Sequence, residues 1–166
     1  MEVSRRPTLL HSCARAATAA EARFRVDYPN STERASRIIA LDDTAFRILQ
    51  PVSERPWRGA RFLRFEAPRD DDDASLRTFD DGPSMLSDEL EDADVAVMVA
   101  TGGAGAAAAS IIGRASFRRR IMTAGLVVSE RDDPEEAVNV LRPFASVLVV
   151  SPDAQYIEDV LTALRA

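Results

Sequence analysis

The chain has 166 residues, of which 46% are hydrophobic and 29% charged, and its formal net charge is −6. This composition is typical of a globular protein, and the length fits one domain with its own hydrophobic core. All 21 basic residues are arginine, which excludes Schiff-base lysines, lysine general bases and a lysine-containing phosphate-binding loop. The acidic balance also argues against nucleic acid as a partner, because non-specific binding depends on neutralising phosphates.

Cysteine and histidine each occur once, as Cys13 and His11. A single copy of each excludes an intramolecular disulfide and argues against a Cys/His zinc site and against Cys–His catalysis with a dedicated partner. We therefore expect Cys13 to be an ordinary reduced cysteine in a cytoplasmic protein. No apolar run reaches the roughly 18 residues of a membrane span, so we also expect a soluble protein without a membrane partner.

The first 27 residues are rich in arginine and alanine and poor in acid. Two interpretations remain open: a transit-peptide-like segment, which would lack an apolar region and a cleavage site, and a helix over residues 8 to 24. We favour the helix, as an arm packed on the domain or on a partner, and we predict a single α/β domain over residues 28–166.

The segment from Ser31 to Pro51 carries apolar residues at spacings that fit one face of a helix, and Pro51 is expected to end that helix. A β-hairpin turning at Asp42 and Asp43 is the alternative, because a short apolar run lies on each side of this acidic pair.

From Gly59 onward, short apolar runs alternate with helix patterns. Apolar runs of strand length, bounded by turns and separated by helices, are typical of a parallel sheet that is covered on both faces. The pattern predicts an α/β protein with a three-layer Rossmann-like fold and a mainly parallel sheet of about four strands. The predicted strands are centred near residues 63, 97, 125 and 148, and predicted helices begin near Pro83, Gly105, Pro134 and Pro152.

The glycine-rich stretch "TGGAGA" stands between the second predicted strand and the following helix. Ligands of open α/β sheets bind beyond the carboxyl ends of strands, where helix N-termini present free N–H groups. The stretch therefore predicts a cradle for a phosphate, although a tight turn for packing needs the same small residues. The full dinucleotide-binding pattern is absent and no acidic residue ends the next strand, which argues against NAD. The predicted ligand-binding residues are Thr101, Gly102, Gly103, Ala104, Gly105 and Ala106, with Ser129 and Ser151 at the ends of the next two strands.

Residues 90–153, from "LEDADVAVMVATGGAGA" to "LVVSPD", resemble part of the nucleotide-binding domain of the FtsZ/tubulin family. The resemblance implies a tubulin-type signature loop at "TGGAGA", and hence nucleotide binding. Ala104 and Ala106 stand where that loop carries threonines, and Ala107 stands at its last glycine. The family's other glycine-rich loop has no counterpart here, and its acidic catalytic loop would lie past the last residue of the chain. The resemblance therefore implies binding rather than GTP hydrolysis.

Two charged clusters complete the sequence-based candidates. The carboxylates of Asp70–Asp73 follow a predicted strand, as Mg²⁺ ligands would, although such runs also form solvated loops. Arg118–Arg120 end a predicted helix, where they complement its dipole or bind an anion.

The leading hypothesis is a protein that binds a nucleotide or phosphorylated small molecule at Thr101–Ala106, with little or no catalysis and no assigned cofactor. The alternatives are a homo-oligomeric assembly module, which associates through its terminal helices or docks on a partner protein, and a Mg²⁺-dependent enzyme that uses Asp70–Asp73.

Overall fold

The computed structural model describes residues 33–129, 134–151, 155–164 and 166. The N-terminal arm or helix predicted over residues 1–27 lies outside the described residues. The described residues form one sheet of seven strands. The strands are β1 (Ser36–Ala40), β2 (Ala60–Pro68), β3 (Ala74–Thr78), β4 (Pro83–Met85), β5 (Val95–Ala100), β6 (Met122–Val128) and β7 (Val147–Ser151). The α-helices are α1 (Asp43–Ser53), α2 (Leu86–Glu91), α3 (Ala106–Arg119), α4 (Glu135–Leu141) and α5 (Gln155–Leu164), and a 3-10 turn, Gly103–Gly105, precedes α3.

The strand order across the sheet is β4-β3-β2-β1-β5-β6-β7. Strands β2, β1, β5, β6 and β7 are parallel, whereas β3 and β4 join the β2 side as antiparallel strands. The α/β class is thus confirmed, but the prediction of about four strands is wrong: the described residues alone form seven strands, and the sheet is mixed. Counted among themselves, the parallel strands have the order 2-1-3-4-5, which is one of the common doubly wound orders.

The predicted helix between Ser31 and Pro51 is wrong, and so is the alternative hairpin. Ser36–Ala40 form β1, and α1 begins immediately after the Asp42–Asp43 pair. Ile38 and Ile39 are fully buried on opposite faces of the sheet, so β1 lacks the alternation that marks a half-exposed strand. Pro51 lies inside α1 rather than ending it, and it affects only the last turn.

The parallel strands are covered on both faces. Residues of α2, α3 and α4 pack with Ile39, Leu63 and Met98 in one hydrophobic cluster. Residues of α1 and α5 pack with Ile38 and Val97 in the other. All six residues of β5 are buried, which explains why its sequence is a continuous apolar run.

A buried carboxylate ties α2 to the sheet. Glu89 is 4% exposed, and its two oxygens lie 3.0 Å from Arg37 Nε and 3.1 Å from Arg61 Nε. The Ser84 hydroxyl donates to Glu89 Oε1 at 2.6 Å. Arg37 Nε is buried and, despite the short distance, makes no well-aligned hydrogen bond. Glu89 is therefore the group that compensates the partly buried positive charge of Arg37 between β1 and α2.

Candidate functional site

The carboxyl ends of β1 and β5 are adjacent, and the chain leaves them in opposite directions. After β1 it forms α1, which packs on one face, and after β5 it forms α3, which packs on the other. This divergence opens a crevice between two neighbouring parallel strands, the place where ligands bind in doubly wound sheets.

Asp42 sits in this crevice and links its two sides. Its carboxylate accepts hydrogen bonds from the backbone N–H of Ala45 at 2.8 Å and of Thr101 at 2.9 Å. It also accepts one from the Thr101 hydroxyl at 2.8 Å. Asp42 is thus the N-cap of α1 and, through Thr101, an anchor for the turn after β5. Thr101, one of the predicted ligand-binding residues, thus donates both its backbone N–H and its hydroxyl to this carboxylate.

The three glycines of the turn have different surroundings. A Cβ on Gly105 would lie 2.7 Å from the Leu41 side chain, so a larger residue would not fit there. A Cβ on Gly103 would lie 3.2 Å from a carboxylate oxygen of Glu136. A Cβ on Gly102 would meet nothing within 4 Å. Gly105 is therefore required for packing, whereas Gly102 faces open space.

The helical N-terminus at this turn has no side-chain cap. Neither the 3-10 turn, whose N-cap is Gly102, nor α3, whose N-cap is Gly105, receives a capping side-chain hydrogen bond. No acidic residue lies in the first turn of α3. The first N–H groups of a helix lack intrahelical acceptors and carry a partial positive charge, so this end is suited to an anion.

All eight predicted binding residues lie at one edge of the sheet. Thr101–Ala106 form the single turn after β5, and Ala104 and Ala106 are exposed in it. Ser129 follows β6 and Ser151 ends β7, and the Ser129 N–H donates to the Ser151 carbonyl at 3.2 Å. Ser151 is buried, so its place at the edge does not expose it.

Three acidic residues near the crevice were not among the predicted binding residues. They are Asp42, the exposed Asp43, which pairs with Arg64 at 2.6 Å, and Glu136 beside Gly103. The available signal was the acidic pair directly after an apolar run. The pair was expected within a helix or at a hairpin turn, and for that reason it was not assigned to a binding site.

The acidic loop Asp70–Asp73 lies against α3, and two of its carboxylates have structural partners. Asp72 pairs with Arg118. Asp73 accepts from the Ser87 N–H at 3.0 Å and from its own neighbour, the Ala74 N–H, at 2.9 Å. Over the described residues, no group of three or more His, Cys, Asp or Glu side chains is placed to hold a metal ion.

The fold and the crevice define an α/β protein with helices on both faces of a mixed sheet and a candidate site at the carboxyl ends of its parallel strands. Comparison with protein-family models and with curated proteins finds no match to this chain. In the part of the chain that the structure describes, every helix is too short or too polar to cross a membrane.

Proposed function

We propose that this protein binds a nucleotide or another phosphorylated small molecule in the crevice between β1 and β5. The observation that carries the proposal is the uncapped N-terminus of α3, which stands at the divergence of two parallel strands beside open space at Gly102. A phosphate there would accept hydrogen bonds from the N–H groups of residues 103 to 105 and would gain from the helix dipole. A Rossmann-like three-layer fold, a tubulin-type mode of binding and a cytoplasmic location are parts of this proposal.

The carboxylates around the crevice restrict the ligand. Asp42 and Glu136 would repel a bare anion at the turn, because each adds a negative charge next to it. A suitable ligand therefore brings its own positive or donor groups, either as Mg²⁺ bound to its phosphates or as ribose or sugar hydroxyls that donate to these carboxylates. The proposal assigns no catalytic step.

Calorimetric titration with GTP, ATP, NAD and FMN, each with and without Mg²⁺, tests the proposal. Gly102→Glu places a carboxylate in front of the helix end without a steric clash, and the extended backbone of Gly102 accepts any side chain. We expect this variant to weaken binding at least tenfold, while the matched Gly102→Ala control binds like the unmodified protein. Absence of binding by all four ligands, or equal binding by both variants, would refute the proposal.

A second candidate function, assembly into a homo-oligomer, is favoured by β7. The two edges of the sheet differ: β4 has three residues and contains Pro83, whereas β7 has five, four of them aliphatic. Val147 and Val150 are 49% and 47% exposed. Edge strands of monomers are usually blunted by shortness, proline or charge, and β7 has none of these protections.

A second copy of the chain fits this edge best. Antiparallel pairing of two β7 strands about a twofold axis would join valines to valines and satisfy the outer backbone groups of both copies. It would also place the two α4 helices antiparallel to each other, with the C-terminal end of one toward the N-terminal end of the other.

The terminal-helix version of the assembly hypothesis predicts a different surface. In α5, Ile157 and Leu161 are fully buried in the protein's own core. These residues of α5 therefore cannot also contact a second copy of the chain. We expect Val150→Glu to convert a dimer to a monomer in analytical ultracentrifugation, and Met122→Glu, at another exposed apolar position, to leave the dimer intact. Removal of residues 1–27 should also leave it intact. A monomeric unmodified protein at about 100 µM, well above the Kd of a stable dimer, would refute this candidate.

A further inference from the structure

A second pocket opens at the amino edge of the sheet, opposite the crevice. It encloses about 350 Å³ between the C-terminal part of α3 and the segment that leads into β7. Thr123 and Ser146 line it near the starts of β6 and β7, and their hydroxyl oxygens are 3.3 Å apart. This volume is within the range of small-molecule sites.

Two phenylalanines line the pocket. Phe117 is 83% exposed, the highest value among the large hydrophobic side chains that the structure describes. Phe144 lines the pocket as well. A Cβ on Gly113 would lie 2.5 Å from Phe144, so the glycine is what allows the Phe144 side chain to pack against α3. An exposed aromatic ring beside a concave surface is suited to stacking with a flat apolar group.

The pocket also contains positive charge that the helix dipole does not explain. Arg114 and Arg118 line it one turn apart on α3, and Arg118 is paired with Asp72. Arg114 contacts neutral oxygens, the Ser110 carbonyl at 3.3 Å and the Ser110 hydroxyl at 2.6 Å. Arg114 lies five residues before the last residue of α3, whereas dipole effects are confined to the last turn. Its guanidinium is thus available for a bidentate contact with a carboxylate, sulfonate or phosphate.

We infer that this pocket is a binding site for a small aromatic anion, with the ring against Phe117 and the charged group on Arg114. The hydroxyls of Thr123 and Ser146 supply the polar end of the pocket. The inference does not rest on the proposed function, because the pocket is at the opposite edge of the sheet.

Phenyl phosphate tests the inference, since it combines a ring and an anion, and inorganic phosphate and phenol each supply one of them. We expect phenyl phosphate to bind the full chain at submillimolar concentration, to shift the backbone NMR signals of residues 113–118 and 143–146, and to bind at least tenfold more tightly than either fragment. Binding should not require Mg²⁺.

Arg114→Gln should weaken phenyl phosphate binding about tenfold, as expected for loss of a charge-assisted contact, and Phe117→Ala should weaken it about threefold to tenfold. Arg47→Gln is the matched control, because Arg47 is an exposed helical arginine with the same kind of neutral contacts, a carbonyl oxygen and a hydroxyl. Any of three results would overturn the inference: equal losses in the Arg114 and Arg47 variants, phosphate binding as tightly as phenyl phosphate, or no binding of phenyl phosphate at about 5 mM, roughly five times the expected upper limit of Kd. Gly102→Glu should leave phenyl phosphate binding unchanged, which separates this site from the crevice.

Discussion

Replacement of Asp42 by alanine should destabilise the protein far more than replacement of its neighbour Asp43. Asp42 caps α1 through the Ala45 N–H and accepts both donors of Thr101. Loss of the cap costs about 1 kcal/mol. Leaving the partly buried donors of Thr101 without an acceptor costs a further ~1–3 kcal/mol. The expected loss is therefore about 2–4 kcal/mol, whereas Asp43→Ala removes an exposed ion pair worth about 0–1 kcal/mol.

Urea unfolding of the full chain measures this difference. With an m value of about 2 kcal/mol per M, the Asp42→Ala midpoint should fall by about 1–2 M and the Asp43→Ala midpoint by less than 0.5 M. Thr101→Val removes only the hydroxyl donor, so the Asp42→Ala/Thr101→Val double variant should be more stable than the sum of the two losses predicts, by roughly 1 kcal/mol. Additive losses, or a loss below 0.5 kcal/mol for Asp42→Ala, would show that this carboxylate does not hold the two sides of the crevice together.

Substitutions at Glu89, Gly59 and Gly113 test a buried charge pair and two close contacts. Glu89→Ala leaves the partly buried Arg37 without its carboxylate partner, and we expect a loss of about 3 kcal/mol in urea unfolding, with a smaller loss for Glu89→Gln. Gly59→Ala would place a Cβ 2.3 Å from a backbone carbonyl oxygen, so the melting temperature should fall clearly, whereas Gly102→Ala should leave it within a degree or two. Gly113→Ala would bring a Cβ within 2.5 Å of the Phe144 side chain, and overpacking of this kind costs about 1–3 kcal/mol in denaturant unfolding; an unchanged midpoint would show that the ring moves aside freely.

The second half of the fold was predictable because its strands are buried on both faces. Residues of β5 and β6 are almost all buried, and such strands are continuous apolar runs between helix patterns. Strand β1 has the same burial, but it is joined to α1 by only Leu41 and Asp42. Because the connection is so short, the apolar residues on its two sides have the spacing expected for one face of a single helix. Strands β3 and β4 are short and partly polar, and antiparallel pairing at an edge leaves little hydrophobic signal in the sequence.

The position of the candidate site was predictable, but its electrostatics were not. A strand, a glycine turn and a helix in succession are a local pattern, so Thr101–Ala106 could be placed at the carboxyl edge from the sequence. The carboxylate that fills part of that turn comes from Asp42, 59 residues earlier in the chain. Such a contact depends on which strands become neighbours. The predicted helix between Ser31 and Pro51 took the place of β1, one of the two strands concerned.

Although the net charge of the chain is −6, the two proposed sites have local charges of opposite sign. Binding experiments can therefore distinguish one site from the other. At the carboxyl edge, Asp42 and Glu136 adjoin the helix end that would receive a phosphate, so an anion binds there only with a compensating cation or with donor hydroxyls. At the amino edge, Arg114 contacts neutral oxygens and accepts an anion directly. Mg²⁺ should therefore strengthen nucleotide binding in the crevice and leave phenyl phosphate binding unchanged. Because the Coulomb attraction of an exposed arginine is screened, raising the ionic strength should weaken binding at the Arg114 pocket in proportion to the charge of the ligand.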